Sequence, residues 1–131
     1  MNDIEQDIQS AGANVAPRIT PDDIAANIVS EHYFTAADGV AGAFVNAQIA
    51  QGRGVYPDEI GKLLPSLGLL TFCVLVLKNG FTVTGESACA SPENFNAEIG
   101  RKIARQNAVA KIWPLMGYEL RSHLSKQQPL I

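Results

Sequence analysis

The chain has 131 residues, of which 47% are hydrophobic and 18% are charged, and its formal net charge is −3. This length suits one domain with a modest core, and the composition is that of a globular protein rather than a disordered one. The net negative charge gives no support for DNA binding, and the longest dense apolar run, residues 67–77, is too short to span a bilayer.

Charge is distributed unevenly along the chain. Residues 1–31 contain six acidic residues and one basic residue, whereas residues 101–126 contain six basic residues and one acidic residue, so the two segments carry −5 and +5. One interpretation is that these are solvated helix faces, or that one end of the chain docks on the other. The other is a positive site for a small phosphorylated ligand.

The N-terminal sequence MNDIEQDIQS is acidic and has neither the basic nor the apolar segment of a signal peptide. We therefore expect a cytoplasmic protein. Cys73 and Cys89 are expected to be free thiols, because the predicted strands would turn them to opposite sides of the sheet.

The sequence predicts a flexible N-terminal arm over residues 1–18 and a single α+β domain over residues 19–127. The first helix of the domain begins at Thr20, a good N-cap before Pro21 and two acidic residues. The spacing of apolar residues continues this helix to about Glu31.

The next segment is the least regular part of the sequence. Residues 32–35 are predicted to be extended and to end in a turn at Asp38-Gly39. Residues 40–68 are rich in glycine and are predicted to be a variable insertion or a mobile flap, with a short helix at Pro57–Leu64.

A β-hairpin within residues 69–87 gives the clearest local signal. Its strands, Thr71–Lys78 and Phe81–Ser87, flank Asn79-Gly80, which favours a two-residue type I′ turn. That turn would leave one face as core and a second, half-polar face to be covered by a partner subunit or to line a recess. The predicted core face carries Phe72, Val74, Val76, Phe81 and Val83, and the half-polar face carries Leu75, Leu77, Thr82, Thr84 and Glu86.

The last third of the chain predicts a C-terminal helical pair packed on this small antiparallel sheet. The first helix begins at Ser91 and buries a stripe formed by Phe95, Ile99 and Ile103. Trp113-Pro114 ends or kinks that helix, because proline has no backbone N–H to donate.

Catalytic and metal-binding patterns are missing from the sequence. His32 and His123 have no serine, cysteine or aspartate at a spacing typical of a catalytic triad, and neither Cys-x-x-Cys nor His-x-x-x-His occurs. The glycine tracts match neither the phosphate loop nor the dinucleotide fingerprint. We therefore expect a protein that is not an enzyme and that uses no cofactor.

The remaining pattern favours anion binding. A helix start at Ser91–Asn94 would offer N–H groups, and Arg101 and Arg105 follow on one face of that helix. At about 1.5 Å per residue, Arg105 would lie some 15–20 Å from the helix start, so a shared ligand would be held across a subunit interface. Phe81, at the hairpin tip, is either a packed turn residue or a platform for a purine.

Three segments of the sequence are long and specific: ITPDDIAANIVSEHYFTAADG, LTFCVLVLKNGFTVTGESACASPENFNAEIGRKIARQNA and WPLMGYEL. They resemble a family of small tailed-phage and prophage proteins, the family that includes the Thoeris anti-defence signal sponges. The resemblance covers roughly residues 19–39 and 69–124.

This resemblance implies a homo-oligomer, a hexamer assembled from dimers, that is not an enzyme. Characterised members of the family sequester cyclic ADP-ribose isomers made by bacterial TIR-domain proteins, and some also hold cyclic oligonucleotides. Their pockets use an aromatic residue after the hairpin turn, a polar residue near the next helix start and an arginine on that helix. The matching residues here are Phe81, then Asn94 or Asn96, then Arg105 or Arg101, with Thr82 and Thr84 available to the sugars.

The resemblance therefore implies a phage protein of the host bacterial cytoplasm that sequesters a cyclic nucleotide immune signal without cleaving it, and the residue types found here are compatible with that function. The signal would be a cyclic ADP-ribose isomer or a cyclic di- or trinucleotide. One alternative is a protein–protein inhibitor module that docks on a host enzyme through the hairpin. A third interpretation is a small hydrolase that degrades the signal.

Overall fold

A computed structural model describes residues 3–52 and 58–129 of the chain. The strands are β1 (Ile28–Thr35), β2 (Leu70–Leu77) and β3 (Thr82–Ala88), and the helices are α1 (Asp3–Ser10), α2 (Pro21–Asn27), α3 (Ala36–Gln51), α4 (Asp58–Leu67) and α5 (Ala97–Gln127). The strands form one antiparallel sheet in the order β1-β2-β3, and α5 packs across β2 and β3, which confirms the α+β class. No helix within these two ranges is long and apolar enough to cross a membrane.

The N-terminal segment contains a helix where the sequence predicts a loose arm. In α1, the Glu5 carboxylate accepts two hydrogen bonds from the Arg18 guanidinium, at 2.9 and 2.7 Å. This two-point contact connects α1 to the start of the domain. None of the residues of α1 is buried, so the helix adds little to the hydrophobic core.

The start of α2 is predicted correctly, and its end is not. Thr20 Oγ1 accepts a hydrogen bond from the Asp23 N–H at 3.2 Å, and the Asp23 carboxylate accepts one from the Thr20 N–H at 2.9 Å. The helix ends at Asn27 rather than near Glu31. Residues 28–31 join the sheet instead, because β2 provides a strand with which they can pair.

Residues 36–51 and 58–67 form two helices, where the sequence predicts a loop region with one short helix. Thr35 and Asp38 make a second capping box, with hydrogen bonds of 3.0 and 3.1 Å, so α3 starts where the sequence predicts a turn. Gly52 follows the last residue of α3 and caps the helix; its φ of 73° is the left-handed conformation that favours glycine. α4 contains most of the predicted short helix; Pro57, its predicted first residue, lies outside the described residues.

The hairpin is present, but its register differs by one residue from the prediction. The Leu77 N–H donates to the Phe81 carbonyl at 2.8 Å, and the Gly80 N–H donates to the Leu77 carbonyl at 2.9 Å. The loop is therefore three residues long, and within it only Gly80 has a positive φ, of 88°. A type I′ turn also requires a positive φ at Asn79, so the observed loop is a tight turn followed by a glycine bulge.

This difference of one residue exchanges the two faces of β2. Leu75 lies opposite Val83 and Cys73 opposite Gly85, on the face that α5 covers. The free thiol of Cys73 is completely buried there. The buried strand residues are Thr71, Cys73, Leu75, Leu77, Val83 and Gly85. The prediction that Phe72, Val74, Val76 and Phe81 are core residues is wrong.

The last third of the chain is one helix of 31 residues rather than a helical pair. Residues 92–94 form a 3-10 turn, and α5 then begins with Asn96 as its N-cap, not Ser91. Asn96 Oδ1 accepts the Ile99 N–H at 3.0 Å. Pro114 lies inside the helix, which continues to Gln127.

α5 packs on the sheet through small residues. Its buried stripe is Gly100, Ala104, Ala108 and Ile112. The predicted stripe is wrong, since Ile99 is 56% exposed and Ile103 is also exposed.

Gly85 explains why the small residues face inward. A Cβ atom added to Gly85 would overlap the Ala104 carbonyl oxygen and the Ala108 amide nitrogen, and it would lie 2.9 Å from the Asn107 carbonyl carbon. The backbone of α5 therefore touches the backbone of β3. Such close approach requires a residue without a side chain in the strand and short side chains on the helix.

Gly85→Ala is expected to lower the free energy of unfolding by about 3 kcal/mol or more, because the added methyl group has no space against α5. Gly117→Ala is the matched control. Gly117 lies inside α5 with no atom within 4 Å of an added Cβ, so alanine should stabilise the helix by about 0.5–1 kcal/mol. Denaturant titration measures both changes. A Gly85→Ala protein as stable as the parent would contradict the close contact.

Candidate functional site

Three predicted site residues, Asn94, Asn96 and Arg101, gather at the end of the sheet where β2 begins. Two adjoining cavities of about 100 and 130 Å³ lie there, and Thr71 and Phe95 line both. Arg101 lines the smaller cavity and the two asparagines line the larger one. We call the two cavities together the sheet-end recess. Its further lining residues include Tyr33, Phe34, Thr35, Asp38, Ile99 and Ile103.

Arg101 is a cation that makes no direct ion pair with the described residues of this recess. Across residues 3–52 and 58–129, its guanidinium makes neither an ion pair nor a hydrogen bond. Asp38 lines the same cavity; its carboxylate accepts the Thr35 N–H in the capping box of α3 and makes no ion pair with Arg101. Arg101 therefore offers its N–H donors to an anion beside the apolar rings of Phe34 and Phe95.

The two asparagines have less capacity for a ligand than the sequence suggests. Asn96 Oδ1 is occupied by the cap of α5. The backbone N–H of Asn94 donates to the Ser91 carbonyl at 3.0 Å within the 3-10 turn. The N–H groups expected to be free at Ser91–Asn94 are thus partly used, and the side-chain amides are the groups that remain near the recess.

Arg105 lies one turn after Arg101 and is held by the sheet. Its Nε donates to Glu31 Oε1 at 2.9 Å and its Nη2 donates to Oε2 at 3.1 Å, a contact between β1 and α5. The Tyr33 hydroxyl donates to the same carboxylate at 2.8 Å. This contact joins the acidic N-terminal segment to the basic C-terminal one, which favours docking of one end of the chain on the other.

The protonation equilibria follow from this network. Hydrogen bonds from Arg105 and Tyr33 hold the pKa of Glu31 below its ordinary value of 4.5. Burial and the bond to Glu31 raise the pKa of Tyr33, and burial raises the pKa of the Cys73 thiol. At neutral pH, Glu31 is therefore ionised, and Cys73 is a neutral, unreactive thiol.

The remaining predicted site residues lie elsewhere. Phe81 is 56% exposed at the hairpin tip, opposite Leu77. Leu77 is six residues along β2 from Thr71, which puts Phe81 about 20 Å from the sheet-end recess. Thr82 and Thr84 are exposed on the face of the sheet opposite α5. One chain therefore cannot bring all seven predicted residues to a single ligand.

The face of the sheet that carries Thr82 and Thr84 is partly apolar. We call it the open sheet face. The rings of Phe34 and Phe72 pack there with their centroids 5.7 Å apart, and His32, Val74 and Thr84 lie side by side across the three strands. The half-polar face expected from the sequence therefore exists, but Phe72, Val74 and Val76 replace Leu75 and Leu77 on it.

A wider groove lies at the opposite end of the molecule. It consists of two open, adjoining spaces of about 500 and 540 Å³ that share Ile19, Met116, Glu119 and Leu120. Lys78 and Lys126 border it, but the carboxylates of Asp23 and Glu119 also line it, and its Arg18 is already bonded to Glu5. The sheet-end recess is the better anion site, since its arginine has no such partner.

Two important side chains, Glu31 and Tyr33, were not predicted to be part of the site. The opposite charges of residues 1–31 and 101–126 were the signal for the Glu31–Arg105 pair, although they do not identify the partners. In the described part of the chain, no group of three or more His, Cys, Asp or Glu residues could hold a metal ion.

A family model described as "Phage protein (N4 Gp49/phage Sf6 gene 66) family" matches residues 19–124. The match takes in β1, the hairpin and nearly all of α5, as well as residues 40–68, which the resemblance leaves out. The chain belongs to this family. As a Gp49/gene 66 family protein, it is a phage protein, which confirms that part of the resemblance. No curated protein and no solved structure matches the chain.

Glu31→Gln is expected to lower the free energy of unfolding at pH 7 by no more than about 1 kcal/mol, because both members of the Glu31–Arg105 pair are partly exposed. The pKa of Glu31 is lowered by folding, so the pair stabilises the protein above pH 4.5 and loses this effect as the pH falls through the folded-state pKa. The stability gap between the variant and the parent should therefore close as the pH falls below 4.5 and through the folded-state pKa of Glu31.

Urea titrations from pH 3 to pH 7 measure this difference. Glu86→Gln is the control, because Glu86 is half exposed and approaches Lys111 only to 3.9 Å. A stability gap between E31Q and the parent that persists at the lowest pH would contradict the assignment to the ionised pair.

Proposed function

We propose that this phage protein captures a cyclic nucleotide immune signal, in the first place a cyclic ADP-ribose isomer, and keeps it from its receptor without cleaving it. The observation that carries the proposal is the guanidinium of Arg101, which has no partner in the described chain and lies beside aromatic rings in the sheet-end recess. A cytoplasmic site of action in the bacterial host, where such signals are made, belongs to this proposal.

The chemistry of the recess matches the parts of such a ligand. A cyclic ADP-ribose has a diphosphate, two riboses and an adenine. Arg101 suits the diphosphate, Phe34 or Phe95 can contact the base, and the amide of Asn94 can bond to ribose hydroxyls. A cyclic di- or trinucleotide has the same kinds of groups and is the second candidate ligand.

The small size of the recess supports a site that is completed by a second copy of the chain. Each cavity of the recess is well below the roughly 300 Å³ at which small-molecule sites begin. Phe81 and the two threonines, which the resemblance and the strand pattern assign to the site, lie too far away within one chain. In an oligomer, the hairpin tip of one copy can approach the recess of another.

The surface of α3 also supports self-association. Asp38 is its only charged residue, none of its residues is buried, and Ile49 is 72% exposed. A helix this apolar normally lies inside a protein or an assembly. We therefore propose a homo-oligomer, built from dimers and reaching a hexamer, in which α3 is covered by another copy.

An inhibitor that docks on a host enzyme through the hairpin is the second candidate. The exposed Phe81 at the hairpin tip favours it, because an exposed aromatic side chain is a common anchor in protein interfaces. This module would need neither the unpaired Arg101 nor a ligand, and that difference separates the two proposals.

Arg101→Ala is expected to weaken capture of the signal by about 100-fold, because the cation that lines the recess and has no ion-pair partner among the described residues is removed. The parent is incubated with the products of a TIR-domain signalling enzyme and removed, and the depleted and heat-released molecules are analysed by mass spectrometry. Release of the intact isomer supports a sponge. Arg121→Ala, at an exposed position further along α5, is the control and should capture like the parent.

The same capture assay is also applied to the variants Phe81→Ala and Arg105→Ala. Loss of capture by F81A in an intact oligomer would support a site shared between copies. Depletion of the signal with release of a hydrolysed product would contradict a sponge. No depletion by the parent, together with recovery of one stoichiometric host protein, would favour the inhibitor module.

Ile49→Arg is expected to lower the mass of the assembly measured by analytical ultracentrifugation, because a charge on α3 cannot be buried without a partner. Asn46→Arg places the same charge on an exposed polar position of α3 and should have a smaller effect. If I49R keeps the parent's mass, α3 is not part of the subunit interface.

A further inference from the structure

Arg101 and Arg105 of α5 both lie near β1, but only Arg105 forms an ion pair within the described chain. Arg101 and Arg105 are four residues apart and therefore lie on one side of the helix. Arg101 lines the recess together with Tyr33, and the hydroxyl of that tyrosine bonds to the carboxylate that holds Arg105. The two guanidinium groups are therefore near neighbours, and one of them is paired.

The pair at Arg105 is well defined. Two parallel hydrogen bonds of 2.9 and 3.1 Å satisfy the planar fork of the guanidinium, and a third bond from Tyr33 fixes the carboxylate. Arg105 still has N–H donors that Glu31 does not use. Its positive charge, however, is balanced by the Glu31 carboxylate in direct contact, at 2.9 Å.

We infer that Glu31 acts as an internal counter-ion that limits anion binding, so that Arg101 is the arginine that contacts the anion and Arg105 contributes little charge. The inference rests on the proposed function, since the anion would be the diphosphate of the captured signal. With Glu31 in place the three groups have a net charge of +1, and without it they would have +2; the Asp38 carboxylate, which lines the same cavity, lowers both sums by one.

An internal counter-ion has a clear consequence for specificity. A site holds a diphosphate less tightly when its net positive charge is one unit lower, and its affinity then falls less steeply with added salt. Abundant polyanions of the cell would then compete weakly, and recognition would depend on the base and sugars. Glu31 is in this sense a specificity-determining residue and not a ligand contact.

The test is a titration with inorganic pyrophosphate, followed by NMR of the arginine Nε–Hε groups in the full chain. Spectra of Arg101→Lys and Arg105→Lys assign the two signals. In the parent, pyrophosphate should shift the Arg101 signal and leave the Arg105 signal in place. In Glu31→Gln, both signals should shift, the affinity should rise roughly three- to tenfold, and the salt dependence should become steeper.

Glu86→Gln is the control for a general change in net charge, and it should match the parent in both affinity and salt dependence. Thermal unfolding of each variant shows that it is folded. If E31Q binds pyrophosphate no more tightly than the parent, Glu31 only orients Arg105 and the inference fails. It fails equally if pyrophosphate shifts Arg105 first in the parent, or shifts neither arginine in either protein.

The two proposals can fail separately. If the parent captures a cyclic ADP-ribose isomer and E31Q leaves the pyrophosphate affinity unchanged, only the role of Glu31 is wrong. If the pyrophosphate titration gives the expected shifts and affinities but no isomer is captured, the role of Glu31 at the anion site is supported and the proposed function is wrong.

Discussion

The contact between the backbone of α5 and Gly85 determines how the rest of the domain is arranged. Because no side chain separates helix from strand at that point, the helix must present Gly100, Ala104 and Ala108 to the sheet. That choice fixes the rotation of α5 about its own axis. The same rotation turns Arg101 and Arg105 toward β1 and leaves Ile99 and Ile103 exposed. Packing of the smallest residues thus positions the groups that can meet a ligand.

The rotation of α5 places Arg101 in the recess and Arg105 next to Glu31. Arg101 reaches the end of the sheet because Gly100, its neighbour, packs on Thr71 at the start of β2. Arg105, one turn later, meets Glu31 on the edge strand. A helix shifted by a residue would place neither guanidinium where it is. The charged site therefore depends on apolar packing that contains no charged group at all.

Features of the fold that depend on neighbouring residues were predicted from the sequence. Features that depend on contacts between distant segments were not. The capping box at Thr20 and the two hairpin strands follow from neighbouring residues, so both were predicted. The register failed because Asn-Gly is compatible with a two-residue turn and with a three-residue loop, and only the burial of Leu75 against α5 selects the second. For the site, the sequence placed the arginines too far from a helix start at Ser91–Asn94 to share a ligand with it, because the actual N-cap at Asn96 was not predicted. Glu31 lies 74 residues from Arg105, and no sequence spacing relates them.

The length of α5 has a mechanical consequence. Thirty-one residues make a rod about 46 Å long, whereas an eight-residue strand extends about 26 Å. Among the described residues, none after Ile112 is buried, and Pro114 removes one N–H from the ladder of the helix. The first half of the rod is therefore held by the sheet, whereas the second half makes only partly buried contacts, such as that of Met116 with the core. Its amides would open to solvent in local fluctuations that leave the core closed, so one unbroken helix contains two regions of different stability.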